Sequence, residues 1–262
     1  LALGLPAAVY GAATWVIAQA ATVNPILGQA VGIGLAYTTL AGRDLYDHVQ
    51  AVTDALAAGD LAGARKAVSM IVGRDSETLS EGEIARATVE TIAESSSDGI
   101  IAPLVYLSLG GAPLALAYKA VNTLDSMIGH RDERYEHFGW ASARLDDVVN
   151  WVPARLSGGF IALAAGLSTG QWHRIHDSWY ILHRDGDKHP SPNSGQPEAA
   201  MAGALGVQLG GRNYYDGVPH DGELLGDGPA EVAPEHIRHA SRIMLVTYAL
   251  GLFFALLSLW VA

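Results

Sequence analysis

Residues 243–262, IMLVTYALGLFFALLSLWVA, carry no Asp, Glu, Lys or Arg. A helix needs about 20 mostly apolar residues to cross a bilayer, so this stretch, Ile243 to Ala262, is long enough for one crossing. The other end of the chain has the same character. Residues 1–42 are also free of those four residue types, and every such charge lies between Arg43 and Arg242. Two uncharged stretches there fit a span, Leu3 to Ala21 and Pro25 to Ala41, broken at Asn24-Pro25. With half of the 262 residues hydrophobic and a mean hydropathy of +0.20, the chain reads as a membrane protein rather than a soluble domain.

Three further uncharged stretches lie inside the chain: Ile100 to Tyr118, Leu156 to His173 and Ala199 to Gly211. The first is interrupted by Pro103, Gly110, Gly111 and Pro113, and the third is short and rich in Ala and Gly. Buried soluble helices of such lengths occur, so these stretches can be read either way. The chain opens at Leu1, which suggests a fragment or processed form. Leu1 to Ala21 has no basic flank or clear cleavage site and reads as a retained span, not a signal peptide. The formal net charge of −11 argues against nucleic acid or an anionic lipid surface as the main partner. With no Cys, disulfide and thiolate chemistry are excluded.

The charged middle is helical. From Arg43 to Val72, apolar positions recur at helical spacing (Leu45, Val49, Val52, Leu56, then Leu61, Ala64, Val68, Ile71) with Gly59-Asp60 between the two runs, which predicts a helical hairpin. Ser80 with Glu83 forms a capping box that opens a helix running to about Glu94, followed by a stop at Ser95-Ser96-Ser97-Asp98-Gly99. Pro113 suits the first turn of another helix ending at Gly129. No strand pattern and no repeat is visible. The fold class is all-α: a multi-pass integral membrane helical protein with extramembrane helical segments. Residues 1–262 read as one membrane-embedded domain, divided into a transmembrane hairpin (1–42), a polar helical segment (43–99), a motif-bearing core (100–217) and a C-terminal transmembrane helix (243–262).

Several polar constellations could carry chemistry. Glu90, Glu94 and Asp98 are spaced i, i+4, i+8 and share one face if the helix continues to Gly99. Three carboxylates suit a hard divalent cation, and Mg²⁺ takes carboxylate oxygens together with substrate phosphates. A solvated acidic face with an Arg86 to Glu90 pair is the competing reading. Lys119, Asn122, Asp125 and Ser126 share the polar face of a helix beside an apolar stretch, where ionisable groups are functional candidates by default. Arg131, Arg134 and Arg144 follow, interleaved with Asp132, Glu133, Asp146 and Asp147; they can fork onto phosphate oxygens or form an ordinary mixed-charge surface. The pairs His173/His176 and His236/His239 lack third ligands of convincing spacing for a metal. No standard nucleotide-binding loop is present.

Read together, these segments resemble the CbiB/CobD family, the adenosylcobinamide-phosphate synthases of cobalamin biosynthesis. The matching stretches are Ile71-Val72-Gly73-Arg74-Asp75, Val89-Glu90-Thr91-Ile92-Ala93-Glu94 with Ser97-Asp98-Gly99, and the specific block from Tyr118 through Asn122-Thr123-Leu124-Asp125-Ser126-Met127. Glu133-Arg134-Tyr135, Ala143-Arg144-Leu145-Asp146-Asp147, Asn150-Trp151, Ser191-Pro192-Asn193, Pro197-Glu198-Ala199 and Asn213-Tyr214 with Asp216-Gly217 follow in family order, so the likeness covers about Arg43 to Gly217. Ser95 stands where the family commonly has Asn, Gln196 where Trp is frequent, and the family's usual N-terminal segment is missing.

The resemblance implies a carbon-nitrogen ligase that joins adenosylcobyric acid to aminopropanol, or its O-phosphate, through an amide. ATP would be the co-substrate and Mg²⁺ the cofactor. It points to Glu90, Glu94, Asp98 and Asp125 as metal ligands or base, and to Lys119, Arg131, Arg134 and Arg144 as phosphate contacts. Asp146, Asp147, Asn122, Asn193 and Glu198 come next. The implied partners are the corrinoid and amino alcohol substrates and the lipid bilayer, with self-association or other corrinoid-pathway enzymes left open and nucleic acid excluded. The implied location is the cell membrane, with the active site facing the cytoplasm. A transporter or a non-catalytic binding partner is the alternative. If Ile100 to Tyr118 crossed the membrane once, Glu90 to Asp98 and Asn122 to Asp125 would face opposite sides. A broken or re-entrant passage at Pro103 and Gly110 to Pro113 is therefore expected, with its backbone buried in protein or lining a cavity.

Overall fold

The computed structural model describes residues 2–128 and 139–261. The chain forms two compact units, each assembled from separated stretches of sequence. One gathers residues 1–41, 98–153 and 251–262, and the other 42–97 and 154–250. The boundaries at 41/42 and 97/98 lie beside the linear divisions at 43 and 100, whereas the segment 100–217 is shared between the units at 153/154, because packing joins segments that are distant in sequence.

In the first unit, α1 (Gly4–Val23) and α2 (Pro25–Tyr37) form a hairpin turned at Asn24. Asn24 Oδ1 accepts from the Ile26 amide at 2.8 Å and Pro25 occupies the first turn, which is why the chain breaks and restarts there. Gly28 lets the two helices touch, since a Cβ at that position would lie 2.7 Å from Ala21 Cβ. The 13 residues of α2 span about 20 Å, less than the ~30 Å of a hydrocarbon core. Both helices pack against α6 (Ala102–Ile128), which follows a π-helical turn at Ser97–Ile101.

α6 is broken at Gly110 and Gly111. Gly111 has φ +66° and ψ −164°, a conformation essentially confined to glycine, and a Cβ on Gly110 would strike Leu114. The chain doubles back at this point. Tyr106 and Tyr118 stack with ring centroids 4.9 Å apart, whereas twelve residues of straight helix would separate them by about 18 Å. The arm of residues 102–109 is only about 12 Å long, too short to cross a bilayer. The chain thus breaks and reverses at Gly110 and Gly111, within the stretch where a broken passage was expected.

The second unit is built around α5 (Glu81–Ser96), whose Ser80/Glu83 capping box forms as its sequence predicts. Ile84, Val89 and Ile92 on this helix are fully buried. The helix does not stop at Ser95; it runs straight into the π-helical turn. α3 (Gly42–Ala57) and α4 (Leu61–Val68) pack on it as a hairpin, with Gly59 at φ +70° in the turn and Asp60 capping α4. α9 (Gly195–Leu205) is buried along its whole length between α5 and α8 (His173–Asp185), so Ala199 to Gly211 is core rather than a span. Buried Asp185 ties this core together by accepting from Arg184, Lys188 and the Gly226 amide, and these donors hold its carboxyl well below the usual range.

A β-hairpin, β1 (Leu209–Tyr215) and β2 (Val218–Leu225), completes this unit and departs from the all-helical expectation. Its turn is Asp216-Gly217, both at positive φ, the pair favoured in two-residue hairpin turns. The strands escaped notice because β2 is exposed along almost all its length and β1 carries a bulge at Gly210 and Gly211, so neither alternates.

Among the described residues, three helical runs are long and apolar enough to cross a membrane: Glu81–Met127, Trp140–Thr169 and Pro234–Trp260. The first qualifies by length and composition but includes the reversal at Gly110 and Gly111. The second is α7 (Trp140–Thr169) and the third lies within α10 (Pro234–Val261). Only 28% of the most apolar window of α10 is buried by protein, and Phe253, Leu259 and Trp260 stand exposed. A surface this apolar is expected to be covered by lipid.

Candidate functional site

The expected site residues fall into two clusters, one in each unit. In the first unit, Asp98 sits in the π-helical turn, a local irregularity common at functional sites. Asn122 on the returning arm of α6 donates through Nδ2 to Asp98 Oδ2 and to Asp146 Oδ1, both at 3.4 Å. Asp146 and Asn150 lie one turn apart on α7, and Asn150 Nδ2 donates to Asp146 Oδ2 at 2.9 Å. The Tyr118 hydroxyl lies 2.8 Å from Asn150 Oδ1 and 3.2 Å from the Asp98 carbonyl oxygen. Asp146 is therefore held by neutral amides, with no ion pair among the described residues. Asp125 and Asp147 lie within electrostatic reach of it. Lys119 is half-buried on the same arm, and exposed Arg144 meets Asp147 at 3.6 Å.

In the second unit the chemistry is already satisfied. Glu90 is buried, with Arg74 donating to Oε2 at 2.5 Å and the Gly210 amide to Oε1 at 2.8 Å. Arg86 lies 3.5 Å from the same carboxylate, donates to the Gly210 carbonyl, and shares Asn213 Oδ1 with Arg74. Glu90 thus locks β1 onto α5, with each of its carboxylate oxygens accepting from a protein donor. Exposed Glu94 accepts from Ser194 Oγ at 3.2 Å. Ser191, Asn193 and Ser194 form a tight loop in which Ser191 Oγ accepts from the amides of Asn193 and Ser194. Glu198 is buried nearby; burial foremost, then the charges of Glu90 and Glu94, pushes its carboxyl well above the usual range, against the pull of Arg74.

Glu90, Glu94 and Asp98 therefore do not gather into one ligand set, and no group of three Asp, Glu or His side chains converges among the described residues. The i, i+4, i+8 spacing is real, but Glu90 and Glu94 find their partners within the second unit and Asp98 within the first. Asp98, Asn122 and Asp146 are brought together across 48 residues of sequence. Arg131 and Arg134 lie outside the described residues. His236 serves as a local cap, accepting from the Ala233 amide at 2.9 Å. Gln196, at a position of frequent Trp, donates to Asp187 Oδ1 at 2.8 Å. Tyr118, Asn150, Arg74 and Arg86 were missed as functional residues. Tyr118 stands one turn before Asn122, and Asn150 one turn after Asp146, which is the signal that could have found the first two.

Fold and site together define a helical membrane protein with a carboxylate–amide cluster set where a broken helix turns back. Residues 1–244 match the family described as "CobD/Cbib protein". The chain is 55% identical to cobalamin biosynthesis protein CobD of Geobacter metallireducens over 87% of its own length and 70% of that protein's. It is 47% identical to cobalamin biosynthesis protein CbiB of Salmonella choleraesuis, over 95% and 77% of the two lengths. The chain belongs to the CobD/CbiB family of cobalamin biosynthesis proteins. No solved structure matches it.

Proposed function

We propose that this chain is the ligase that joins adenosylcobyric acid to aminopropanol, or its O-phosphate, to give adenosylcobinamide or its phosphate. The observation that carries the reading is the Asp98/Asn122/Asp146 cluster, made by a helix reversal in a member of this family. A carboxylate does not form an amide at neutral pH without activation. Transfer of the terminal phosphoryl group of ATP to the corrinoid carboxylate, with ADP leaving, makes an acyl phosphate. The amine nitrogen then bonds to the acyl carbon, the carbon–oxygen bond to phosphate breaks, and inorganic phosphate departs.

In this reading Asp98 and Asp146 have two tasks. The amino alcohol is an ammonium ion at neutral pH and must lose a proton before it attacks. A carboxylate held by amides in a partly desolvated site can take that proton. The same oxygens fit Mg²⁺, which uses one or two carboxylates and leaves its other positions to water and phosphate; bound there it would neutralise charge on the transferring phosphoryl group. Asn122 and Asn150 hold the two carboxylates apart and oriented. Lys119, one turn before Asn122 on α6, would meet a phosphate oxygen, with Asp125, Asp147 and Arg144 flanking. The active site would face the cytoplasm, where ATP is available.

The test is product formation by the purified, detergent-solubilised chain supplied with adenosylcobyric acid, aminopropanol phosphate, ATP and Mg²⁺, read by mass spectrometry of the corrinoid. A corrinoid that gains the amino alcohol, and does so only with ATP, is the expected result. Folded protein that retains corrinoid yet forms no product would transfer the assignment to a binding or transport role.

A further inference from the structure

A second polar cavity lies wholly within the second unit, where the last turn of α7 and the start of α8 meet α10. It measures about 340 Å³ and is lined by Thr169, Gln171, Arg174, His239 and Arg242 over an apolar floor that includes Ile243. No Asp or Glu contributes to its lining among the described residues. Elsewhere in this unit, Arg74, Arg86, Arg184 and Arg212 each face a carboxylate. Arg174 and Arg242 form no ion pair among the described residues; Arg174 donates only a long 3.4 Å contact to Gln171 Oε1. Gly206 leaves room for the Arg174 guanidinium, since a Cβ there would lie 2.9 Å from its Nη1.

The cavity also has a definite place along two apolar helices. The uncharged run of α7 ends beside it at Thr169, and that of α10 begins beside it at Ile243. Trp172, at the same boundary, is 68% exposed. A change from apolar to cationic, marked by an exposed Trp, is the pattern of a membrane–water interface. At that level a bilayer presents phosphate groups, and guanidinium forks match phosphate oxygens. The chain's net charge of −11 does not oppose this, because charges more than about 8–10 Å away are screened at physiological salt.

We infer that this cavity binds a phosphate group, that of an anionic phospholipid, through Arg174 and Arg242 with His239 and Gln171 as further donors. The full chain is purified from phosphatidylcholine membranes with and without phosphatidylglycerol, and retained lipids are counted by native mass spectrometry. Wild-type protein keeps phosphatidylglycerol in preference to phosphatidylcholine, and an Arg174→Gln/Arg242→Gln double variant loses about tenfold of that preference. Melting in pure phosphatidylcholine checks that the variant is folded; should it not be, exposed Arg242→Gln alone carries the comparison. Inorganic phosphate added in pure phosphatidylcholine separates the sources. If it raises the melting temperature of wild type but not of the variant, and no lipid preference is seen, the phosphate is a soluble one. No lipid preference together with no phosphate-dependent shift, or a preference unchanged in the folded variant, overturns the inference.

Discussion

The carboxylates of the two units live under opposite conditions. Glu90 is buried against two arginines and a backbone amide, so every oxygen is spoken for. Asp146 is held by the amides of Asn122 and Asn150, with no cation paired to it among the described residues. A neutralised buried carboxylate serves the fold, because removing either partner strands a charge in a poor solvent. An amide-held carboxylate costs more to maintain, and what it keeps available is affinity for a cation or a proton.

The largest effect that tests this contrast is expected from Asp98→Asn or Asp146→Asn. Each should lower turnover in the proposed amide-forming reaction by about 10²- to 10³-fold while melting temperature stays close to wild type. A variant that melts early, with normal turnover per folded molecule, would place these aspartates in the structural class instead. Glu90→Gln should show the reverse, with a loss of about 3 kcal/mol in stability because Arg74 and Arg86 lose their carboxylate, and turnover per folded molecule largely kept. Thermal melts and product yield from the same preparation separate the two outcomes.

Gly111→Ala sharpens the comparison through the backbone. The positive φ and extended ψ at that position should cost about 1–3 kcal/mol with any side chain. Because the reversal sets Asn122 against Asp98, turnover should fall along with stability, which Glu90→Gln should not do. The smallest expected effect is pH-dependent. The folded-state carboxyl of Asp185 titrates below its unfolded value, so its stabilisation is present above about pH 3.9 and fades as pH falls further. Asp185→Asn should therefore be less stable than wild type near neutrality, with the difference narrowing on the acid limb of a stability–pH profile.

Much of the local structure was legible. The Ser80/Glu83 capping box, the Gly59-Asp60 turn and the Asn24-Pro25 break form where the residues predict them, because each is decided by a few neighbouring side chains. The β-hairpin was not foreseen, although Asp216-Gly217 is a strong turn signal; glycines and solvent exposure erased the alternation on either side. Among candidate residues, Asp98, Asn122 and Asp146 proved to be neighbours, while Glu90 shared the helical spacing of Asp98 but not its surroundings. Spacing reports which face a residue occupies. It does not report that Arg74, 16 positions upstream, and Gly210, 120 positions downstream, fold onto that face.

What the sequence by itself determined is the membrane character, the helical class and the need for a broken passage. These follow from where charge is absent and from the demand that two motifs meet on one side. Only the tertiary structure decided which carboxylates remain available for chemistry and which are consumed by the fold. That distinction depends on the partners each oxygen finds, and those partners come from parts of the chain that linear order keeps far apart.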